Sequence, residues 1–196
     1  MNKDYLFVIP PSNAVLLQVE HYKGEVAKII GQYPGMHTKA HLTVNYLPNK
    51  NPHQVTLALE TIKRNAVKLP PVNIGINGFS FFEHIKNNTL TIYIAVKGTY
   101  QTDNWLDALK KCFPTTYLKI PHITITKGMS ANNFYKLWPQ FKQLTYQDTF
   151  VADKVLVFER NAIPDNKGYR KIDVIHFNNE LDTSNSTSYY PVQKIL

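Results

Sequence analysis

Two segments, His41-Leu42-Thr43-Val44 and His122-Ile123-Thr124-Ile125, repeat one four-residue pattern 81 positions apart. Apolar residues fill the second and fourth positions of each, as on a strand that buries one face. Because side chains alternate along a strand, each segment places its histidine and threonine on one face and its apolar pair on the other. Each segment therefore predicts an imidazole beside a hydroxyl, on a rigid apolar backing.

A similar order of elements surrounds each motif. In the first half, a strand over residues 5–9 leads to a helix capped by Ser12 or Asn13, and the motif strand covers residues 41–47. Asn51 and Pro52 suit the N-cap and the first position of a second helix. Strands over residues 72–83 and 89–96 complete this half.

The second half repeats this order. Thr102 or Asp103 is the predicted N-cap of a helix, the motif strand covers residues 122–126, and Ser130 caps a helix that Pro139 should kink or end early. Closing strands are expected over residues 150–160 and 169–177, with a turn over residues 164–168 between them. A duplicated α+β unit accounts for the shared order.

The chain suits one domain with a tail. We expect a single domain over residues 1–178, in lobes of roughly 1–98 and 99–178 that can exchange strands. Residues 179–196 are polar and read as a C-terminal tail outside the core.

Composition and charge narrow the class of protein. The 196 residues include 22 Lys and Arg against 14 Asp and Glu, and the net charge of +8 favours polyanionic partners, although many basic proteins bind no polyanion. No apolar stretch is long enough to span a bilayer, and no signal-peptide core follows the N-terminus. Cys112 is the single cysteine, so no internal disulfide can form. We expect a cytoplasmic monomer without membrane contact.

Together the two motifs suit phosphodiester chemistry. A neutral imidazole can deprotonate the attacking oxygen while an imidazolium protonates the leaving oxygen, and a histidine pKa of about 6.5 allows both states near neutral pH. The threonine hydroxyls can donate to the non-bridging oxygens. We expect no metal and no cofactor: the spacing of His37 and His41 suits a metal only on a helix, and a loop and strand are predicted there. Two buried structural histidines are the alternative interpretation.

The paired motifs within a duplicated α+β chain resemble the 2H phosphoesterase superfamily, which includes 2'-5' RNA ligase-like proteins, cyclic phosphodiesterases and 2'-5' oligoadenylate phosphodiesterases. The resemblance covers about residues 5–177. It implies a two-lobe fold with antiparallel sheets around a central cleft and helices outside. One departure is that Ala40 precedes the first motif where many relatives have proline, whereas Pro121 precedes the second.

The resemblance places four residues on the catalytic tetrad of the family: His41, Thr43, His122 and Thr124. It implies that one histidine is the general base and the other the general acid. For a 2',3'-cyclic phosphate, we expect His122 to activate water and His41 to protonate the leaving ribose oxygen. These roles are open to reversal, and they are expected to exchange in the ligation direction.

Further residues are candidate substrate contacts. Asn45 and Thr126 continue the two motif rows, or else complete hydrogen bonding at the strand ends. Lys127 and Arg160 lie at strand ends, where a cation can bind phosphate or remain a solvated surface charge. Lys39 and Lys119, which precede the motifs, have the same two interpretations. Four aromatic residues are candidates to stack on bases: Tyr5, Phe7, Tyr46 and Phe158.

These observations predict a metal-independent hydrolase of RNA ends or cyclic nucleotides. It would open 2',3'-cyclic phosphates by two-histidine catalysis, with reversible 2'-5' RNA ligation as a related activity. Two alternatives remain: a 2'-5' oligoadenylate phosphodiesterase with the same tetrad, and an RNA-binding module without turnover.

Overall fold

The structure of the protein, a computed structural model, describes residues 1–114, 120–163 and 168–178. The described part of the chain forms eight strands and four α-helices. The strands are β1 (Lys3–Ile9), β2 (Leu42–Lys50), β3 (Val72–His84), β4 (Thr89–Val96), β5 (His122–Thr124), β6 (Gln147–Ala152), β7 (Lys154–Asn161) and β8 (Arg170–His176). The helices are α1 (Asn13–Ile30), α2 (Pro52–Ala66), α3 (Tyr100–Lys111) and α4 (Ala131–Phe141).

The eight strands form one antiparallel sheet in the order β6-β3-β4-β5-β2-β1-β7-β8. Strands β3 and β4 pair with β6 and β5, respectively, from the other half of the chain, and β1 pairs with β7. Within the described residues, one residue pair, Leu42 with Ile123, joins the two halves of the sheet. The predicted α+β class with antiparallel strands is confirmed, and the strands of both halves share a single sheet.

Side-chain caps fix where the helices begin. Ser12 caps α1 and Asn51 caps α2, each accepting a hydrogen bond from a backbone N–H of the first turn. The cap of α3 differs from the prediction, because Thr99 Oγ1 accepts from the Thr102 backbone N–H. Thr102 therefore lies inside the first turn, where its hydroxyl accepts from that of Thr99.

Ser130 caps α4 as predicted, and this helix continues to Phe141, two residues past Pro139. Proline lacks the N–H that would donate to the carbonyl four residues earlier, and its ring crowds that carbonyl, so a helix tolerates it poorly and α4 ends within one turn of Pro139.

The strand predicted over residues 150–160 is divided. Strands β6 and β7 meet at Asp153, and they pair at opposite sides of the sheet, β6 with β3 and β7 with β1. The buried positions change phase at the break, from Phe150 and Ala152 in β6 to Val155 and Val157 in β7, and the charged residues Asp153 and Lys154 lie between them. Strand β5 is shorter than predicted because the backbone N–H groups of Ile125 and Thr126 both donate to the Ile92 carbonyl, which bends the chain after Thr124.

All four helices pack their apolar residues against one face of the sheet and form one core with it. Tyr5 and Phe7 are buried in this core, so they are not available to stack on a base, contrary to the sequence-based suggestion. Several predicted features fall outside the described residues: the turn over residues 164–168 except Gly168, Lys119, and the polar tail over residues 179–196. We call the opposite face of the sheet, which carries no helix among the described elements, the motif face.

Candidate active site

The junction between β2 and β5 presents both motifs on the motif face. Leu42 and Ile123 are paired across this junction, and both side chains are buried in the helix-covered core. Because side chains alternate, their neighbours point the other way. These neighbours are His41, Thr43, His122 and Thr124, and all four are half-buried. The structure thus brings the four predicted tetrad residues together.

The register sets which residues of the tetrad are neighbours. Antiparallel pairing of Leu42 with Ile123 puts His41 opposite Thr124, and Thr43 opposite His122. Opposed Cβ atoms in such pairs lie ~5 Å apart and diagonal ones ~7 Å apart. The two imidazoles are therefore on a diagonal, and each has the threonine of the other motif beside it.

Both histidines have the same hydrogen bond to the backbone two residues earlier. His41 Nδ1 lies 2.8 Å from the Lys39 carbonyl, and His122 Nδ1 lies 2.7 Å from the Ile120 carbonyl. A carbonyl oxygen only accepts, so each Nδ1 carries the proton. In the neutral ring the lone pair is then on Nε2. Each imidazole is thereby fixed in the tautomer that can take or give a proton through Nε2.

The pKa of His41 lies below the usual histidine value. Burial is the main cause, and the positive charges of Lys23, His122 and Lys127 lower the pKa further. The hydrogen bond to the Lys39 carbonyl opposes the shift. His41 is consequently neutral near pH 7 in the free protein.

Lys23 holds the loop that leads into the first motif. Its side chain is buried, with 6% relative exposure, and its Nζ donates to the Gly35 carbonyl at 3.1 Å and to the Thr38 carbonyl at 2.5 Å. Burial lowers the pKa of Lys23. Lys23 was not predicted from the sequence to act at the site. Its position was nevertheless unusual for a lysine, because it lies between Val19 and Val26 on the apolar face of α1.

Two aromatic side chains, Phe82 and Tyr93, form a wall beside His122. Tyr93 pairs with Thr124, and its ring stacks on that of Phe82 with centroids 4.2 Å apart. The centroid of the His122 ring lies 4.9 Å from that of Phe82 and 5.1 Å from that of Tyr93. Neither residue was predicted from the sequence, because the alternation within the motif strands gives no information about the side chains of β3 and β4.

Asn45 and Thr126 do not extend the motif rows as expected. Phe7 pairs with Asn45 while Val8 pairs with Thr43, so Val44 is an extra residue in a β-bulge and Asn45 turns to the face of Phe7. Asn45 is 2% exposed, and its Oδ1 accepts from the Tyr46 backbone N–H.

Thr126 is 1% exposed, and its hydroxyl accepts from the backbone N–H of Ile92. Both side chains thus complete the hydrogen bonding of the backbone, which was the alternative interpretation of these two residues. Neither is accessible to a substrate in this structure.

The cationic candidates have different surroundings. Lys127 is exposed in the loop after β5, and its charge acts on His41. Arg160 lies on the motif face of β7, where its Nε and Nη2 donate to Asp4 Oδ2 at 3.0 and 2.9 Å. Lys39 is exposed, and its carbonyl oxygen is the one that fixes His41.

Two aromatic candidates lie on the motif face. Tyr46 and Phe158 are both half-buried, and each pairs with Leu6, Tyr46 from β2 and Phe158 from β7. This places them on the same side of the sheet as Thr43, towards Arg160.

Among residues 1–114, 120–163 and 168–178, no group of three or more His, Cys, Asp or Glu side chains is arranged to hold a metal ion. In the same part of the chain, no helix is both long and apolar enough to cross a membrane.

Comparisons with known proteins give a family and a fold. A family model described as the 2'-5' RNA ligase superfamily matches residues 10–163. No curated protein sequence matches significantly. The structure of E. coli LigT complexed with 3'-AMP superimposes with a TM-score of 0.61 at 10% identity, covering 91% of this chain and 99% of LigT. That of TT0787 from Thermus thermophilus gives a TM-score of 0.68 at 13% identity, covering 90% of this chain and 99% of TT0787.

Proposed function

Since the chain belongs to the 2'-5' RNA ligase superfamily of 2H phosphoesterases, we propose that it is a metal-independent phosphodiesterase that hydrolyses 2',3'-cyclic phosphate ends of RNA. Membership supports a phosphoesterase- or ligase-type enzyme with an RNA-processing role. The substrate and the reaction are the parts that we propose.

One observation carries the proposal: two imidazoles and two hydroxyls share the motif face at the β2–β5 junction, with both Nδ1 atoms bonded to carbonyls. Such a site offers two Nε2 atoms to a phosphate placed between them. A purely structural role would not require the same tautomer-fixing bond at both histidines. The site supplies an acid and a base for in-line displacement at phosphorus.

The electrostatics favour His41 as the base in hydrolysis, the reverse of the sequence-based expectation. His41 is neutral near pH 7 because burial and nearby cations lower its pKa. In the proposed step His41 Nε2 takes a proton from water as the water oxygen bonds to phosphorus. The bond from phosphorus to one ribose oxygen breaks, and His122 Nε2 gives that oxygen a proton.

The remaining site residues stabilise charge. The hydroxyls of Thr43 and Thr124 donate to the non-bridging oxygens as negative charge grows in the transition state. Lys127 contributes positive charge from the loop after β5.

Ligation would use the same two histidines. An RNA 5'-hydroxyl takes the place of water and the ribose oxygen is again the leaving group, so His41 remains the base when a cyclic phosphate is ligated. The histidines exchange roles in the reverse step, the cleavage of a 2'-5' linkage that re-forms the cyclic phosphate. This proposal differs from the sequence-based expectation, in which ligation exchanged the roles.

The relatives lend support to a nucleotide substrate. E. coli LigT has been crystallised with 3'-AMP and with phosphate. A ligand of this class has the phosphate that the tetrad would hold and a base that could lie against Phe82, which forms a wall beside His122.

The decisive experiment uses an RNA oligonucleotide that ends in a 2',3'-cyclic phosphate, incubated with the protein in EDTA. We expect ring opening by the wild type, with losses of at least ~100-fold in His41→Ala and in His122→Ala. His53→Ala, which removes an exposed histidine at the start of α2, is the matched control and should retain full activity.

The pH dependence of the residual activity tests the roles. The wild-type rate should be bell-shaped between about pH 5 and 8. If His41 is the base, His122→Ala keeps the limb that rises with pH, and His41→Ala keeps the limb that falls. An intact cyclic end after incubation with wild type would refute the proposed activity. Cleavage of 2'-5' oligoadenylate instead, or salt-sensitive RNA binding without turnover, would favour one of the two alternatives.

A further inference from the structure

A second polar cluster lies on the motif face, away from the tetrad. It consists of Asp4, Tyr46, Arg160 and Tyr169, and we call it the Arg160 cluster. Asp4 and Arg160 are paired residues of β1 and β7. The Arg160 guanidinium lies over the ring of Tyr169, with 4.7 Å from Cζ to the ring centroid.

Asp4 organises this cluster. Its carboxylate is buried, and one oxygen accepts from Arg160 Nε, Arg160 Nη2 and the Tyr46 hydroxyl, while the other accepts from the Asn49 backbone N–H. Burial alone would raise the pKa of Asp4, but these hydrogen bonds outweigh it and the pKa is lowered. The carboxylate is thus ionised at neutral pH and fixes one edge of the guanidinium.

The guanidinium is oriented and also accessible. The Arg160 side chain retains 42% exposure, although Asp4 engages its Nε and Nη2. An arginine held in this way loses little side-chain entropy when it binds an anion. Lys171 pairs with Phe158 and is exposed on the same face, so a second cation lies on the neighbouring strand.

The separation from the tetrad suggests what the cluster binds. Thr43 is opposite Val8, and Arg160 is opposite Asp4, four residues away along β1. This displacement is ~13 Å along the strand and ~10 Å across two strand spacings. A single nucleotide at the tetrad cannot span it, whereas a chain of a few nucleotides can. Half-buried Tyr46 and Phe158 lie on the motif face between the two sites.

We propose that Arg160, held by Asp4 against Tyr169, is a second subsite that binds a backbone phosphate of the RNA chain whose cyclic end occupies the tetrad. The subsite makes the enzyme selective for oligonucleotides over mononucleotides. This inference rests on the proposed function, because it requires the cyclic end of the RNA to be bound at the tetrad while the rest of the RNA extends along the motif face towards Arg160. The competing explanation is that Arg160 only neutralises the buried charge of Asp4.

The test compares substrates of two lengths. Values of kcat/KM are measured for a mononucleotide 2',3'-cyclic phosphate and for an RNA trinucleotide with the same end, in wild type and Arg160→Gln. We expect Arg160→Gln to lower kcat/KM about tenfold for the trinucleotide through KM, the effect of one lost charged contact. The mononucleotide value should change less than about twofold, since a mononucleotide does not reach the subsite.

A second readout separates phosphate binding from a structural role. For trinucleotide binding, the slope of log K, where K is the association constant, against log salt concentration should be less steep by about one in Arg160→Gln than in wild type. Lys110→Gln is the control, because Lys110 is ion-paired with Asp107 on a helix at the other face of the sheet. Thermal unfolding confirms that each variant is folded under the assay conditions.

The outcomes are distinguishable. Equal losses for both substrates, or no loss for the trinucleotide, would overturn the subsite while leaving the proposed function intact. If wild type cleaves neither substrate, the proposed function fails, and the subsite is still tested by binding of a trinucleotide with a 3'-phosphate. Wild-type binding that Arg160→Gln does not weaken would then overturn the subsite as well.

Discussion

At the scale of single residues, Lys23 shows how one buried charge can influence the tetrad. Its ammonium group bonds two carbonyls of the loop before His41 and lowers the pKa of that histidine. Lys23 is therefore a positioning residue: it acts through the loop and through its charge, and we assign it no contact with substrate.

We predict that Lys23→Met raises the pKa of His41, because a positive charge close to the imidazole is removed. The limb of the pH–rate profile set by His41 should move to higher pH, and kcat should fall several-fold as the loop loses its two hydrogen bonds. An NMR titration of the His41 ring in both proteins measures the shift directly.

Lys28→Met is the matched control, since Lys28 is an exposed lysine of the same helix paired with Glu25. It should leave the His41 titration unchanged. A His41 pKa that stays constant or falls in Lys23→Met would show that the charge of Lys23 does not act on the site.

At the scale of elements, the three-residue strand β5 decides whether the two motifs meet. Ile123 pairs with Leu42 on one side and Ile94 on the other, and its side chain is fully buried. Because this one residue links both halves of the sheet within the described chain, its packing sets the distance between the two histidines.

We predict that Ile123→Ala lowers the free energy of unfolding by ~2–4 kcal/mol, the usual effect of a cavity at a buried isoleucine. Activity should fall by more than the unfolded fraction explains, since the strand can shift at the junction. Urea unfolding and kcat at a temperature where the variant is folded measure the two effects.

Ile74→Ala serves as the comparison, because Ile74 is equally buried but pairs with Phe150 at the far side of the sheet. It should be destabilised to a similar extent and keep its kcat. Equal activity in the two variants would mean that β5 does not control the geometry of the tetrad.

At the scale of the whole molecule, two carboxylates connect the neighbouring strands β1, β7 and β8 at one side of the sheet. Asp4 of β1 binds Arg160 of β7, and Glu159 of β7 binds Lys3 of β1 and Arg170 of β8. Burial opposes ionisation of both carboxyl groups, but their hydrogen bonds and ion pairs lower both pKa values.

These lowered pKa values make stability depend on acid pH. A carboxyl group whose pKa is lower in the folded protein stabilises it fully above the unfolded pKa of about 4, and the contribution is lost as pH falls through the folded value. We therefore expect the free energy of unfolding to decrease below about pH 4. Urea unfolding at several pH values measures it.

Asp4→Asn should remove part of this decrease and cost ~1–2 kcal/mol at pH 7, because charge-assisted hydrogen bonds to a partly exposed arginine are lost. Asp153→Asn, which changes a more exposed carboxylate paired with Lys154, is the control and should alter neither quantity much. An unchanged acid slope in Asp4→Asn would show that other groups govern acid unfolding.

Short sequence patterns were sufficient to predict the local structure of both motifs. Alternation predicted that Leu42 and Ile123 face the core while the histidines and threonines face away, and the structure places them so. The bounds of β4 and the caps Asn51 and Ser130 were also predicted, and Ser12 was one of the two residues predicted to cap α1. These features depend on residues that are only a few positions apart in the sequence, so a short segment contains all the information that they require.

The neighbours of each residue across the sheet could be read only from the folded chain. The bulge that buries Asn45 and the pairing of Leu42 with Ile123 depend on the register between strands that are distant in sequence. The wall of Phe82 and Tyr93, the bonds of Lys23 and the Arg160 cluster likewise join separate elements. Side-chain periodicity fixes which face a residue takes, whereas its neighbours on that face are chosen by packing and hydrogen bonding across the whole sheet.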